Sequence, residues 1–366
     1  MSSEKVTSSV AGPQPATLWG SIWQGVTARP LARHGIPALI VAAAVLIFSY
    51  EVGSYTDYEL AGVAIIAIAA AGLTVLTGVN GQISLGHGAL MAVGAYTTAL
   101  LLEWQPNLAL ILVLAISVVI TALTGVFFGL AAARLRGPYL AGITLALALA
   151  LPQLALHFSS VFAGEQGIAI NPPAAPSWLG VNFSLEQWLA WVAVAAALVT
   201  LVLLANLLRS GVGRSLRAVR DDEVAAMLAG IHVGRARVTA FVISAACAGL
   251  AGSLFADWLG LAAPGGFGVT LSLQLLIAIV IGGLGSLVGA VWGALFLMLL
   301  PDLTSGLSTA FNLPSAISNN LPQAIFGAVL VLVVLAFPQG IQGGLSRLGV
   351  LGRSRWRQRR TLRGSG

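Results

Sequence analysis

Between Gly78 and Tyr96 the chain reads GVNGQISLGHGALMAVGAY, and four side chains there carry polar chemistry: Asn80, Gln82, Ser84 and His87. A serine close to a histidine is raw material for a hydrolase, but the GxSxG elbow is absent and no acidic residue that could orient His87 lies nearby in sequence. Metal binding fares no better, because His34, His157 and His232 are scattered without ligand spacing. His87 therefore reads by default as a hydrogen-bonded structural histidine. What distinguishes the segment is its glycines: Gly78, Gly81, Gly86 and Gly88 interrupt two apolar runs and leave the polar groups near membrane depth. Unwound backbone at that depth is tolerated only when it is buried in protein or lines a cavity. Asn80, Gln82, Ser84, Gly86 and His87 are thus candidates for a substrate path, with a plain glycine-rich turn at the interface as the equal alternative.

A second segment, SGVGRSLRAVRDDEVAAMLAGIHVGRAR from Ser210 to Arg237, is the only long charged insertion between apolar runs. Asp221 or Asp222 can cap a short helix whose first turn holds Glu223, at the positive end of its dipole. Gly230 supplies a natural stop. The result is a two-turn helix outside the membrane with Val224, Ala225, Met227 and Leu228 as apolar surface. It needs either a partner groove or a bed of lipid headgroups. A third segment, IAIVIGGLGSLVGAVWGALF from Ile277 to Phe296, carries Gly282, Gly283, Gly285, Gly289 and Gly293, which permit close helix packing or a break between two half-spans. Its GSLVGAVW resembles ISLGHGAL of the first segment, a short match that hints at an internal repeat.

Composition says what must position these groups. The 366 residues are 58% hydrophobic and only 8% charged, far below the roughly 25% charge of an ordinary soluble domain, so lipid solvates most of the surface. The expected fold is all-α, a polytopic transmembrane bundle of about 8–10 spans, since a helix needs about 20 apolar residues to cross. Candidate spans run from Gly35 to Tyr50, Leu60 to Leu76, Ala89 to Leu102, Leu108 to Ala133, Tyr139 to Phe158, Trp188 to Leu208, Val238 to Leu259, Leu271 to Ile281, Leu287 to Leu300 and Gln323 to Phe337. Those at Ala89, Leu271 and Leu287 are short enough to be broken or re-entrant.

Charge tests the count, because cytoplasmic loops collect Lys and Arg. With the N-terminus inside and ten spans, all 18 basic residues fall on one side, from Lys5, Arg29 and Arg33 through Arg134, Arg136 and the six arginines of Arg209–Arg237 to the seven of Arg347–Arg363. Glu51, Asp57, Glu59, Glu103, Glu165, Glu186, Asp257 and Asp302 land on or near the other. Both termini are expected in the cytoplasm. The organisation is then a tail over residues 1–34, a membrane domain over 35–338 with a cytoplasmic loop at 209–237, and a basic tail over 339–366. The net charge of +6 lies in short clusters rather than on one continuous face, so it reads as topology and lipid contact, not nucleic-acid binding. Cys247 is the only cysteine and sits in an apolar run, where it packs as a small residue. No secretory signal is visible.

Three blocks resemble the permease family of branched-chain amino-acid ABC importers, specifically its LivM-type subunit: GLTVLTGVNGQISLGHGALMAVGAY, then RLRGPYLAGITLALA, then GRSLRAVRDDEVAAMLAGIHVGRARVTAFVISAACAGLAGSLFA followed by IGGLGSLVGAVWGALF. The resemblance spans Gly72 to Leu300. It implies a multi-pass protein of the bacterial inner membrane that is not an enzyme and moves leucine, isoleucine or valine. It implies as partners a second, LivH-type permease, two cytoplasmic ATPase subunits and an extracytoplasmic binding protein. It also implies that Asp221, Asp222, Glu223, Ala225, Ala226, Met227 and Gly230 form a coupling helix docked on an ATPase. The chain has no GxxxxGKS/T loop, so it binds no cofactor and ATP with Mg belongs to the ATPases. Val224 stands where the wider EAAxxxG pattern has glutamate, Asp222 where asparagine is common, and Glu165 and Gln166 depart from the TGGxxGI of the external loop. A urea or short-amide permease is the alternative substrate class. A secondary transporter is the alternative mechanism, and only His157 and Asp257 fall inside the expected spans to support it.

Overall fold

In lipid every backbone group must find its partner within the protein, and apolar runs of this length do so as helices. The computed structural model describes residues 45, 49–50, 53–134, 138–176, 183–311, 320–336 and 340–343. Most of the expected first span, from Gly35 to Tyr50, all of the tail over 1–34 and most of that over 339–366 lie outside the described residues. The other nine expected spans all form helices: α1 (Ser54–Leu73), α2 (His87–Trp104), α3 (Leu110–Arg134), α4 (Pro138–His157), then after the one-turn α5 (Ser159–Phe162), α6 (Leu185–Arg209). A short pair follows, α7 (Gly211–Asp221) and α8 (Glu223–Leu228), then α9 (Val233–Leu259), α10 (Val269–Gly282), α11 (Leu287–Ala310) and α12 (Leu321–Ala336). Among the described residues seven helical segments are long and apolar enough to cross a membrane, including α1 with its extension to Val79 and α10 with the turn before it; α2 and α12 are shorter or less apolar. Several spans outrun their apolar cores. Helix α11 continues past Leu300 through Pro301, and its tenth residue beyond, Ala310, is its last.

Helices α1 and α9 form the centre. The most apolar stretch of α1 with its extension is 83% buried, against 28% for α3, whose Ile111, Val119, Leu123 and Phe127 form an outward stripe for lipid or a neighbouring subunit. Without a hydrophobic force between helices in lipid, close contact comes from small residues and hydroxyls. Helix α9 supplies both: Gly249 packs against Gly94 of α2, Gly252 lies on the Met91 carbonyl, and Ala245 fits Gly125 of α3. The Thr98 hydroxyl joins Ser253 and lies 3.0 Å from Ser117, so one buried hydroxyl cluster links α2, α9 and α3. The α10–α11 hairpin closes through Gly282 on Gly289 and Gly293 on Ala278.

Loop contacts sort the helix ends into two faces. Gly78, Gly285 and Arg220 meet at one face, and Ala133 and Gly234 also approach each other there. At the other, the strands β1 (Ile168–Ala169) and β2 (Leu261–Ala262) pair antiparallel, and the Tyr55 hydroxyl donates to Asp302 at 3.0 Å. This ribbon is a small addition to an otherwise helical fold. Every described arginine lies toward the first face, while Glu103, Glu165, Glu186 and Asp302 lie toward the second.

Candidate functional site

Helix α1 does not end cleanly. It widens into a π-helical turn, Thr74–Val79, in which the Asn80 amide donates five residues back to the Val75 carbonyl at 3.1 Å. Such turns recur at functional sites because they loosen the helical ladder. The chain then runs without regular structure from Gly81 to Gly86 and re-enters helix at His87. It has not left the protein. Gly86 rests on the Thr144 carbonyl of α4, and Gly88 lies against Ser272 and the Phe267 and Gly268 carbonyls before α10. His87 Nδ1 is 3.5 Å from the Ser244 hydroxyl, midway along α9. Helix α2 thus begins in the interior of the bundle, and the expected third span, Ala89 to Leu102, lies wholly within it as one uninterrupted helix preceded by an irregular segment.

Non-helical backbone in lipid needs partners for its amides. Side chains provide them: Thr144 Oγ1 accepts from Leu85 N at 3.0 Å, Ser272 Oγ from Gly88 N at 2.9 Å, and the Thr77 hydroxyl donates to the Gln82 carbonyl at 3.0 Å. Burial then alternates with the two-residue period of a strand. Gln82, Ser84 and Gly86 face inward, Gly81 and Ile83 outward, and Ile83 keeps 53% of its surface exposed. Asn80 and His87 are buried as well. All five candidate path residues therefore share one interrupted strip and turn into the bundle. The side-chain amides of Asn80 and Gln82 have no hydrogen-bond partner among the described residues. Buried polar groups left so are costly and point to a function or an unfilled contact. The glycines fit their places: Gly81 has φ +76°, a Cβ at Gly86 would collide with the Thr144 carbonyl, and one at Gly88 would press on the Ser272 hydroxyl. Spacing alone did not reveal that Ile83 and Gly81 form the outward edge, nor that Thr144 and Ser272 hold the strip.

The insertion between α6 and α9 folds as two helices rather than one. Ser210 caps α7 through Val212 N, and Gly213, Leu216 and Val219 bury one side of it. The joint to α8 is Asp222, in extended conformation (φ −158°, ψ 113°), whose Oδ1 accepts from Val224 N at 2.8 Å and Ala225 N at 3.0 Å. Asp222, not Asp221, is therefore the cap. Gly230 takes φ +80°, a left-handed conformation just beyond the helix end, as its residue type predicts. Glu223 pairs with Arg237, the fifth residue of α9. Only Ala226 of α8 is buried; Leu228 is 85% exposed, Val224 62% and Met227 49%. Three large apolar side chains on this six-residue helix therefore form an outward apolar surface.

The chemistry here is that of passage and contact, not of bond breaking. Among the described residues no group of three or more His, Cys, Asp and Glu is placed to hold a metal. The bundle, the interrupted span and the outward helix pair define a multi-pass membrane transport component. The chain belongs to the family described as branched-chain amino acid transport system / permease component, whose model matches residues 55–334. It is 31% identical over 293 residues to the high-affinity branched-chain amino acid transport system permease protein LivM of Salmonella typhimurium, and 31% identical over 293 residues to LivM of Escherichia coli K12. Each alignment covers 74% of this chain and 66% of the relative. The LivH permease of Escherichia coli K12 is 28% identical over 291 residues, covering 76% of this chain and 91% of that protein. The chain thus spans just under two thirds of the length of the LivM relatives. No solved structure matches it. The family is a membrane permease component and not an enzyme.

Proposed function

We propose that this chain is the membrane-spanning permease subunit of a bacterial ATP-driven importer that carries leucine, isoleucine or valine across the inner membrane. It works with a companion permease of LivH type, two cytoplasmic ATPase subunits and an extracytoplasmic binding protein. The arginine-rich face is cytoplasmic, as the bias of basic residues toward the inside requires, which puts both termini there. Helix α8 is the contact for an ATPase, and its outward Val224, Met227 and Leu228 are the observation that carries this reading. The interrupted strip from Asn80 to His87 lines the path, with Ile83 and Gly81 facing the companion subunit and the Asn80 and Gln82 amides available for a polar solute. Energy from ATP reaches the spans through a rigid contact with two arrangements, which the α7–α8 pair, fixed at both ends to spans, is built to provide.

Uptake of labelled leucine and labelled urea, side by side in cells with and without the gene, tests the proposal. Loss of leucine uptake alone supports it. Loss of urea uptake alone keeps the architecture and changes the substrate to a short amide.

A further inference from the structure

Arg220 stands at the place where the two parts of the site touch. It is the penultimate residue of α7, and its guanidinium donates to the carbonyl of Gly78 in the π-helical turn. Its stem lies over Gly81, where an added Cβ would sit 3.1 Å from Arg220 Cγ. Its Nη1 also reaches the α10–α11 turn, 3.7 Å from where a Cβ on Gly285 would stand. Gly78 and Gly285 are themselves packed backbone on backbone. One side chain therefore spans the end of α7, the start of the extended strip and the turn between two further spans.

On its other side Arg220 is separated from α8 by Asp221 and the single extended joint Asp222. Helix α7 cannot slide freely, because Leu216 and Val219 are buried under it. A load on α8 is thus carried through a one-residue joint into a helix seated on the bundle, and the first group it meets is the Gly78 carbonyl. A carbonyl at a loosened helix end lacks its regular intrahelical partner. The guanidinium, with several donors in a rigid plane, can hold it and the neighbouring turn together, which a lysine ammonium cannot do.

We infer that Arg220 is a positioning residue that transmits displacement of the α7–α8 pair to the extended strip of the candidate path. The inference rests on the coupling role given to α8 above. It assigns the link by which that role reaches the spans.

The test uses the complete importer in proteoliposomes, comparing wild type with Arg220→Ala, Arg220→Gln and Arg220→Lys. Three quantities are read: leucine uptake, ATP hydrolysis, and hydrogen exchange of residues 78–88 with and without ATP plus vanadate. Wild-type exchange in this segment is expected to change on trapping. In the Ala and Gln variants uptake falls roughly tenfold, hydrolysis persists, and the response of the segment to nucleotide disappears. The Lys variant recovers part of both. Full uptake in a folded Ala or Gln variant overturns the inference. So does a wild-type segment indifferent to nucleotide while uptake is ATP-dependent, and so does loss of the assembled complex in both variants, which would make the contact a cap needed for folding. Wild-type importer that shows no ATP-dependent leucine uptake instead overturns the underlying functional reading.

Discussion

Removing the Asp222 carboxylate isolates one physical term of the proposed ATPase contact. Oδ1 satisfies two of the free amide donors at the start of α8, at 2.8 and 3.0 Å. Replacing such a cap with alanine costs about 1 kcal/mol, within a range of roughly 0.5–2. Helix α8 has six residues and buries only Ala226. Isolated helices of that length are marginal in water, so the cap and the Glu223–Arg237 pair carry a large share of its order. A loss of about 1 kcal/mol multiplies the open fraction by about five. Asp222→Ala is therefore expected to speed amide exchange over residues 224–228 about fivefold in the isolated permease and to lower uptake in the assembled importer. Asp222→Asn keeps an acceptor of nearly equal capping strength and loses only a charge at an exposed helix end, so its exchange stays within about twofold of wild type. The assay is hydrogen exchange with mass spectrometry on the purified protein, followed by uptake. Equal exchange in the two variants, or wild-type protection in Asp222→Ala, would refute the capping argument.

Gly94→Val places a side chain on the Gly249 backbone, and overpacking of that kind costs about 1–3 kcal/mol, so the thermal midpoint in detergent is expected to fall. Gly142→Ala in α4, where a Cβ meets nothing within 4 Å, is the matched control and leaves the midpoint equal or higher. Leu228→Glu removes an outward apolar contact while disturbing no internal packing. It is expected to preserve the folded permease and to abolish co-purification of the ATPase subunits; intact co-purification would remove α8 from the docking surface.

Features set by near neighbours in sequence were readable from it. A capping carboxylate at Asp221 or Asp222, the stop at Gly230 and the apolar residues between them need only one helix's geometry, while the choice of Asp222 needed the fold. The glycines at Gly78–Gly88 and Gly282–Gly285 allowed either a break or close packing, and the structure has both: helices end at each cluster, and Gly282 and Gly289 pack backbone on backbone. The docking role of α8 came from resemblance, since helical spacing alone suits lipid headgroups as well. What stayed hidden depends on tertiary neighbours. Helix α7 shows only Leu216 and Val219 on its buried side amid arginines, so its periodicity was lost in the charge. The inward turn of Gln82 and Ser84 rests on Thr144 and Ser272, which lie 59 and 184 residues from the amides they accept. His87 read as a hydrogen-bonded structural histidine, and only the fold shows Ser244 of α9 as its neighbour. The expected span from Leu287 to Leu300 is shorter than α11, which continues through Pro301 to Ala310.

The measurement that bears most directly on the account is leucine accumulation by proteoliposomes holding this chain, its companion permease and the ATPase subunits, with binding protein supplied outside and ATP enclosed or withheld. The account predicts accumulation only with hydrolysable ATP and binding protein, and its loss with Leu228→Glu. Accumulation by this chain alone, driven by an ion gradient without ATP, would contradict it.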